Sequence, residues 1–230
     1  MISRTSSARS RLLAFAAALT VILAPGGPAK SHPHVWIDMT VSSIFNEDGE
    51  LTGLRHIWAF DEFYTVFQLE DFGVSDGTSP SDSQLAGYAS DLLTNIAEYG
   101  YLMRVEGKDG RLELKGHSES ARLRPDNRLE ITFTVDAPAP IDLTDWPVSY
   151  SVFDPQYFIE MLHEKDTGVL MTGSPPSTCT SDLQRPNPTF EMISLAASLD
   201  RLETGPDTLG AMFAETVVID CRAEKDRETN

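Results

Sequence analysis

The chain has 230 residues, with 18 Lys and Arg against 35 Asp and Glu, a formal net charge of −17, and 41% hydrophobic residues. An acid surplus of that size repels nucleic acid and anionic lipid surfaces and concentrates cations, although it also serves solubility alone. The apolar content suffices for a proper core, and a chain of this length suits one domain or two small ones.

Residues 1–31 carry Arg4, Arg9, Arg11 and Lys30 and no acid. Leu12 to Leu23 form a twelve-residue apolar run, too short for a bilayer and right for the core of a signal peptide. Ala29-Lys30-Ser31 offers small residues at the −3 and −1 positions of a cleavage site, which leaves His32 as the new N-terminus. Cleavage after Ala29 is the alternative and leaves two more residues. Without the four basic leader residues the charge falls to about −21. No second apolar run reaches membrane-spanning length, so the expected product is exported and soluble, without stable membrane insertion and without nucleic acid as a partner. The expected organisation is a signal peptide over 1–31, one domain over 32–221 and a charged, frayed tail over 222–230.

Val35, Ile37, Met39 and Val41 alternate with polar neighbours as in a half-buried strand. Asn46-Glu47-Asp48-Gly49 is a hairpin turn, and Leu54, His56, Trp58 and Phe60 alternate in the returning strand. Any pairing that sets the two apolar rows against each other puts His34 on the same face as Asp61. Asp61 is also a natural N-cap for a short helix over 62–67. Residues 73–83 read as an exposed loop. Ser81 to Gln84 form a capping box opening a helix to about Tyr99, with Leu85, Tyr88, Leu92 and Ile96 on one face.

Short strands are expected at 101–105, 111–115, 120–124, 129–135, 148–153, 157–163 and 179–183. Asn187-Pro188 starts a second long helix with Met192, Leu195, Leu199 and Leu202 as its stripe, ended by Gly205-Pro206. A last strand covers 216–221. The class is α+β, mainly antiparallel sheet with two principal helices. Cys179 and Cys221 would then tie the two strands that bracket the second helix. As a disulfide they suit an oxidising compartment; as a thiolate metal site they would need reduced sulfur there.

The chemistry-bearing residues gather at the expected mature N-terminus. His32 would supply an α-amine and an imidazole, and His34 a second imidazole, the neutral nitrogen donors that Zn²⁺, Ni²⁺, Co²⁺ and Cu²⁺ favour. Pro33 has no N–H to lose, which blocks the square-planar amino-terminal chelate and leaves a brace completed from elsewhere. Asp61 and Asp154 are the acids to add, and a mixed nitrogen and carboxylate set suits tetrahedral Zn²⁺. Each has a plainer role, Asp61 as helix cap and Asp154 as the start of an Asp-Pro turn. His56, on an apolar face, reads as a satisfied core or edge histidine, and His117 and His163 lack partner histidines at ligand spacing. The loop at 74–80 lacks the acids of a calcium loop. Nucleophile, phosphate-loop and dinucleotide signatures are missing from the sequence, and no catalytic residue is expected.

Several stretches together carry a resemblance: His32-Pro33-His34-Val35-Trp36, Trp58-Ala59-Phe60-Asp61-Glu62-Phe63-Tyr64, Leu69 to Gly73, Asn95 to Tyr99, Val152-Phe153-Asp154-Pro155, Cys179, Ala197 to Asp200, Leu209 to Glu215 and Cys221. They resemble, in order and over essentially the whole mature chain, the secreted family known as domain of unknown function 1007. That family is described as the periplasmic component of an uncharacterised ABC-type transport system. The resemblance implies a periplasmic, non-enzymatic protein that exchanges a divalent cation with an inner-membrane permease of the NicO nickel/cobalt type, some relatives serving zinc. It supports His32 and His34 as ligands, and Asp61 and Asp154 with them, without naming the metal. The loop around Asp76-Gly77 is poorer in acids than in many relatives, and no histidine-rich loop is present, which argues against storage of several ions. Two rival readings are a copper histidine-brace oxidative enzyme and a structural partner of an envelope transporter.

Overall fold

Strand β1 (Val35–Phe45) organises the molecule, and it begins one residue after His34. The computed structural model describes residues 33–74, 78–199 and 205–227. The leader, His32, the middle of the 73–83 loop, the expected end of the second long helix and residues 228–230 lie outside the described residues. β2 (Leu51–Phe60) returns antiparallel to β1 with Ile37 opposite Phe60, Met39 opposite Trp58 and Val41 opposite His56. The apolar rows therefore face each other as the alternation requires. Asn46 shapes the turn, its side-chain oxygen accepting from the N–H groups of Asp48 and Glu50.

The other side of β1 is paired in parallel, first with β8 (Ile159–His163) and further along with β9 (Val169–Gly173). Strands β5 (Lys115–Leu123) and β6 (Leu129–Ile141) complete the first sheet in the order β5-β6-β2-β1-β8, with β9 also on β1. The second sheet, wholly antiparallel, runs β10-β11-β7-β3-β4. Its members are β3 (Met103–Gly107), β4 (Gly110–Arg111), β7 (Val148–Val152), β10 (Thr180–Gln184) and β11 (Thr216–Asp220). Inward residues of both sheets, including Met39, Trp58, Phe133, Val105, Tyr150 and Ile219, share one apolar core. The α+β class and the mostly antiparallel pairing agree with expectation.

Helix α1 (Glu62–Asp71) is capped by Asp61 and runs four residues beyond the expected stretch. It buries only Thr65 and leaves Phe63, Val66 and Phe67 exposed. Helix α2 (Asp82–Ala97) has the Ser81–Gln84 capping box and buries Ala89, Leu93 and Ile96, with Leu85, Tyr88 and Leu92 packed at the margin. Helix α3 (Phe190–Ser198) is shorter than the stripe suggested. Its cap is Thr189 rather than Asn187, and its buried residue is Ala196 rather than the expected stripe. That residue packs with Tyr157, Leu209, Leu199 and Phe213 in a small satellite core, and Leu195 is left exposed. The tail is not frayed where it is described: α4 (Glu224–Arg227) is held by Arg222 and Arg227, which pair with Asp220. Cys179, before β10, and Cys221, after β11, form a disulfide across that strand pair. Among the described residues no helix is long and apolar enough to cross a membrane.

Candidate functional site

His34 enters β1 with its N–H on the carbonyl of Phe158, which the Val35 N–H shares. Its half-buried ring lies on Phe158, the ring centres 4.7 Å apart. Asp61 stands across the hairpin opening. Its Oδ2 accepts from the Trp36 N–H at 2.9 Å, and its Oδ1 from the Tyr64 N–H at 3.0 Å. Asp154 opens the turn into β8, where its Oδ2 accepts from Phe158 N–H at 2.7 Å and Ile159 N–H at 3.1 Å, and its Oδ1 from Gln156 N–H. Both carboxylates thus act on backbone groups within two residues of His34 or of its stacking partner. Gly210 presses against the Asp154 carbonyl so closely that a Cβ there would collide with it, and its N–H bonds the Pro155 carbonyl. The Asp154 turn is fixed from behind.

These contacts realise the plainer roles of both acids, helix cap and Asx turn, and occupy both oxygens of each, with two N–H groups on Asp61 and three on Asp154. Among the described residues no group of three or more His, Cys, Asp or Glu side chains is placed to hold a metal ion. A ligand set around His34 therefore needs at least one residue from outside the described ones, and His32 is the candidate adjacent in sequence.

A second polar centre, not anticipated as such from the sequence, lies inside the core. His163, at the end of β8, follows Ile159 and Met161 on the inward phase and is opposite Met39. Its Nδ1 is 2.9 Å from Oε2 of the buried Glu215, which also accepts the His163 backbone N–H at 2.7 Å. Its Nε2 lies 3.4 Å from the Tyr150 hydroxyl. Arg185 approaches the other Glu215 oxygen at 3.4 Å. Burial by itself pushes the Glu215 carboxyl up, but the two His163 hydrogen bonds, the His163 charge and Arg185 outweigh it and hold the group below the usual range. Burial and the Glu215 charge push the Tyr150 hydroxyl well up. The two-residue alternation signalled His163; nothing local to Glu215 signals its burial.

His56 departs from expectation too. It is fully buried, stacked on Phe133 at 4.8 Å and edge-on to Trp58 at 5.9 Å. Neither ring nitrogen has a hydrogen-bond partner among the described residues, so the ring is buried but not satisfied. Burial, assisted by the His163 charge, lowers its pKa from 6.5 to about 3. His117, by contrast, pairs with Asp136 at the surface. The imidazoles of His56 and His163 both face the interior, on the opposite side of the sheet from the row that continues to His34.

No curated protein matches the chain. A family model described as a protein of unknown function (DUF1007) matches residues 17–221, and the chain belongs to that family.

Proposed function

We propose that this protein is an exported, periplasmic accessory that binds a divalent transition-metal cation, zinc before nickel or cobalt, and exchanges it with an inner-membrane permease without catalytic turnover. The observation that carries the reading is the convergence of His34, Asp61 and Asp154 on the first residues of β1 through Trp36 and Phe158. An imidazole held there, beside a processed chain end that would supply His32 and its amine, offers neutral nitrogens, with the two carboxylates bound to the adjoining backbone. Acidification would protonate the nitrogens and release the cargo. The disulfide supports an oxidising compartment. A copper brace with a third imidazole is less well supported, because His56 and His163 face the interior.

Calorimetric titration of the processed protein with Zn²⁺, Ni²⁺, Co²⁺ and Cu²⁺ tests the reading. His34→Ala is expected to weaken the preferred ion at least tenfold. Asp61→Asn, which keeps a capping oxygen and removes the charge, is expected to weaken it less. Equal binding by the wild type and His34→Ala refutes the proposal.

A further inference from the structure

A cleft of about 550 Å³ lies on the side of the Asp154 turn toward α2, bounded by Tyr99, Arg104, Arg111, Phe153 and the 154–156 turn. Its size is that of a small-molecule site, and its wall is mixed aromatic and cationic. In a chain with 35 acids, an arginine facing a cavity would ordinarily find a carboxylate. Arg111 does not: its one hydrogen bond among the described residues is a 3.3 Å contact to the Met103 carbonyl, and it forms no ion pair there. Glu106, opposite Arg111 in the β3–β4 pairing, pairs instead with Arg104, at the loose distance of 4.0 Å. Arg104 lies over the Phe153 ring at 5.7 Å, a stacking that leaves guanidinium N–H groups available.

The backbone makes room for this arrangement. Gly100, Tyr101 and Leu102 are consecutive left-handed residues, with φ of 64°, 61° and 53°. A Cβ on Gly100 would lie 2.8 Å from an Arg111 guanidinium nitrogen, so glycine both adopts the turn and admits the guanidinium. Tyr101 is held in its strained conformation by ring contact over Gly116 of β5. Tyr157, on the far side of the 154–156 turn, is left-handed as well, at φ 61°. Strain of this kind concentrates where a ligand is clamped. Two acids share the wall and neither pairs with Arg111 among the described residues: Asp154 is taken up by three backbone N–H groups, and Asp207 is exposed, as are the two arginines.

We infer that this cleft binds a small organic carboxylate, with Arg111 as the bidentate anchor, Arg104 as the second cation, and Tyr99 and Phe153 against the apolar body. The inference stands apart from the metal reading, and its test uses metal-free protein so that each can fail alone. Metal-stripped ¹⁵N-labelled protein is titrated with phenylacetate, succinate and acetate, and with phenylacetamide as the uncharged control. At least one carboxylate, phenylacetate before the others, is expected to give saturable shifts confined to residues 99–104, 110–112 and 153–156, with phenylacetamide at least tenfold weaker. Arg111→Gln is expected to lower the affinity at least tenfold, and Arg111→Lys to restore it only in part, while both melt at the wild-type temperature. No saturation by any of the three acids, equal binding of acid and amide, or unchanged affinity in a folded Arg111→Gln protein overturns the assignment.

Discussion

Lowering the pH from 7 to 4.5 sets the folded and unfolded chains apart at His56. In the fold the ring sits between Phe133 and Trp58 with no hydrogen-bond partner among the described residues, and its pKa is about 3 against 6.5 without burial. Between those values the unfolded chain binds a proton that the folded chain refuses. Stability therefore falls as pH falls, beginning near 6.5 and ending near 3. At 1.36 kcal/mol per pH unit the loss is about 3 kcal/mol at pH 4.5 and about 5 kcal/mol once the ring is charged in both states. A domain with 5–15 kcal/mol in hand feels that loss strongly.

The assay is urea denaturation at pH 7, 6.5, 5.5 and 4.5 with the disulfide intact, comparing the wild type with His56→Met. Methionine has a similar volume, no titratable group and enough flexibility to fill the space. At pH 7 the variant is expected within about 1.5 kcal/mol of the wild type, lost ring stacking being offset by removal of two unpartnered nitrogens. On acidification the wild type then loses stability relative to the variant, by about 3 kcal/mol at pH 4.5, because it alone carries the His56 slope. All other carboxylates and histidines contribute alike to both proteins and cancel. Parallel curves between pH 6.5 and 4.5 refute the reasoning.

Three further expectations follow from named contacts. Breaking the disulfide by Cys179→Ser with Cys221→Ser opens a loop with a separation of 42 residues and should cost about 4 kcal/mol of unfolding free energy in urea denaturation. Glu215→Gln keeps an acceptor for His163 but removes the charge between it and Arg185, and should cost about 2 kcal/mol at pH 7. Because the Glu215 carboxyl is held below its ordinary range, its contribution is complete above the unfolded-state pKa and lost as pH falls through the folded one, so the difference should shrink below about pH 4.5 in the same assay. Asp61→Ala removes both the α1 cap and the acceptor of Trp36 N–H, for about 2 kcal/mol, whereas Asp61→Asn keeps one acceptor oxygen, turns its NH₂ toward the other N–H, and should lose about 1 kcal/mol by thermal melting.

What the sequence discloses about this fold is what period and capping disclose. The hairpin, its face assignment and the Ser81 box rest on contacts only a few residues apart or on strict alternation, and they reappear as read. The parallel pairing of β1 with β8 and β9 joins segments more than a hundred residues apart, and no local pattern carries it. β9 has little alternation to mark it as a strand. The strand expected from 101 begins instead at Met103 because Tyr101 turns left-handed to reach Gly116, a tertiary contact that overrides an extended preference. At the candidate site the two acids were legible as residue types. Their cap and turn roles are legible as well, because the N–H groups of Tyr64, Gln156, Phe158 and Ile159 lie close by in the chain; only the bond from the Trp36 N–H to Asp61 needs the folded hairpin.

Those same N–H groups determine what a cation could gain at His34. The Phe158 carbonyl takes both the His34 and Val35 N–H groups, and Asp154 takes the Phe158 N–H, so the backbone under His34 is fixed from two directions before any ion arrives. Such fixing lowers the ordering cost of ligation at His34, but it also spends carboxylate lone pairs that a metal would otherwise use. A cation drawn to this corner should therefore depend far more on the imidazole than on either acid. That is why His34→Ala and Asp61→Asn are expected to separate: an acid-dominated site would rank them the other way and would show the backbone anchoring to be incidental.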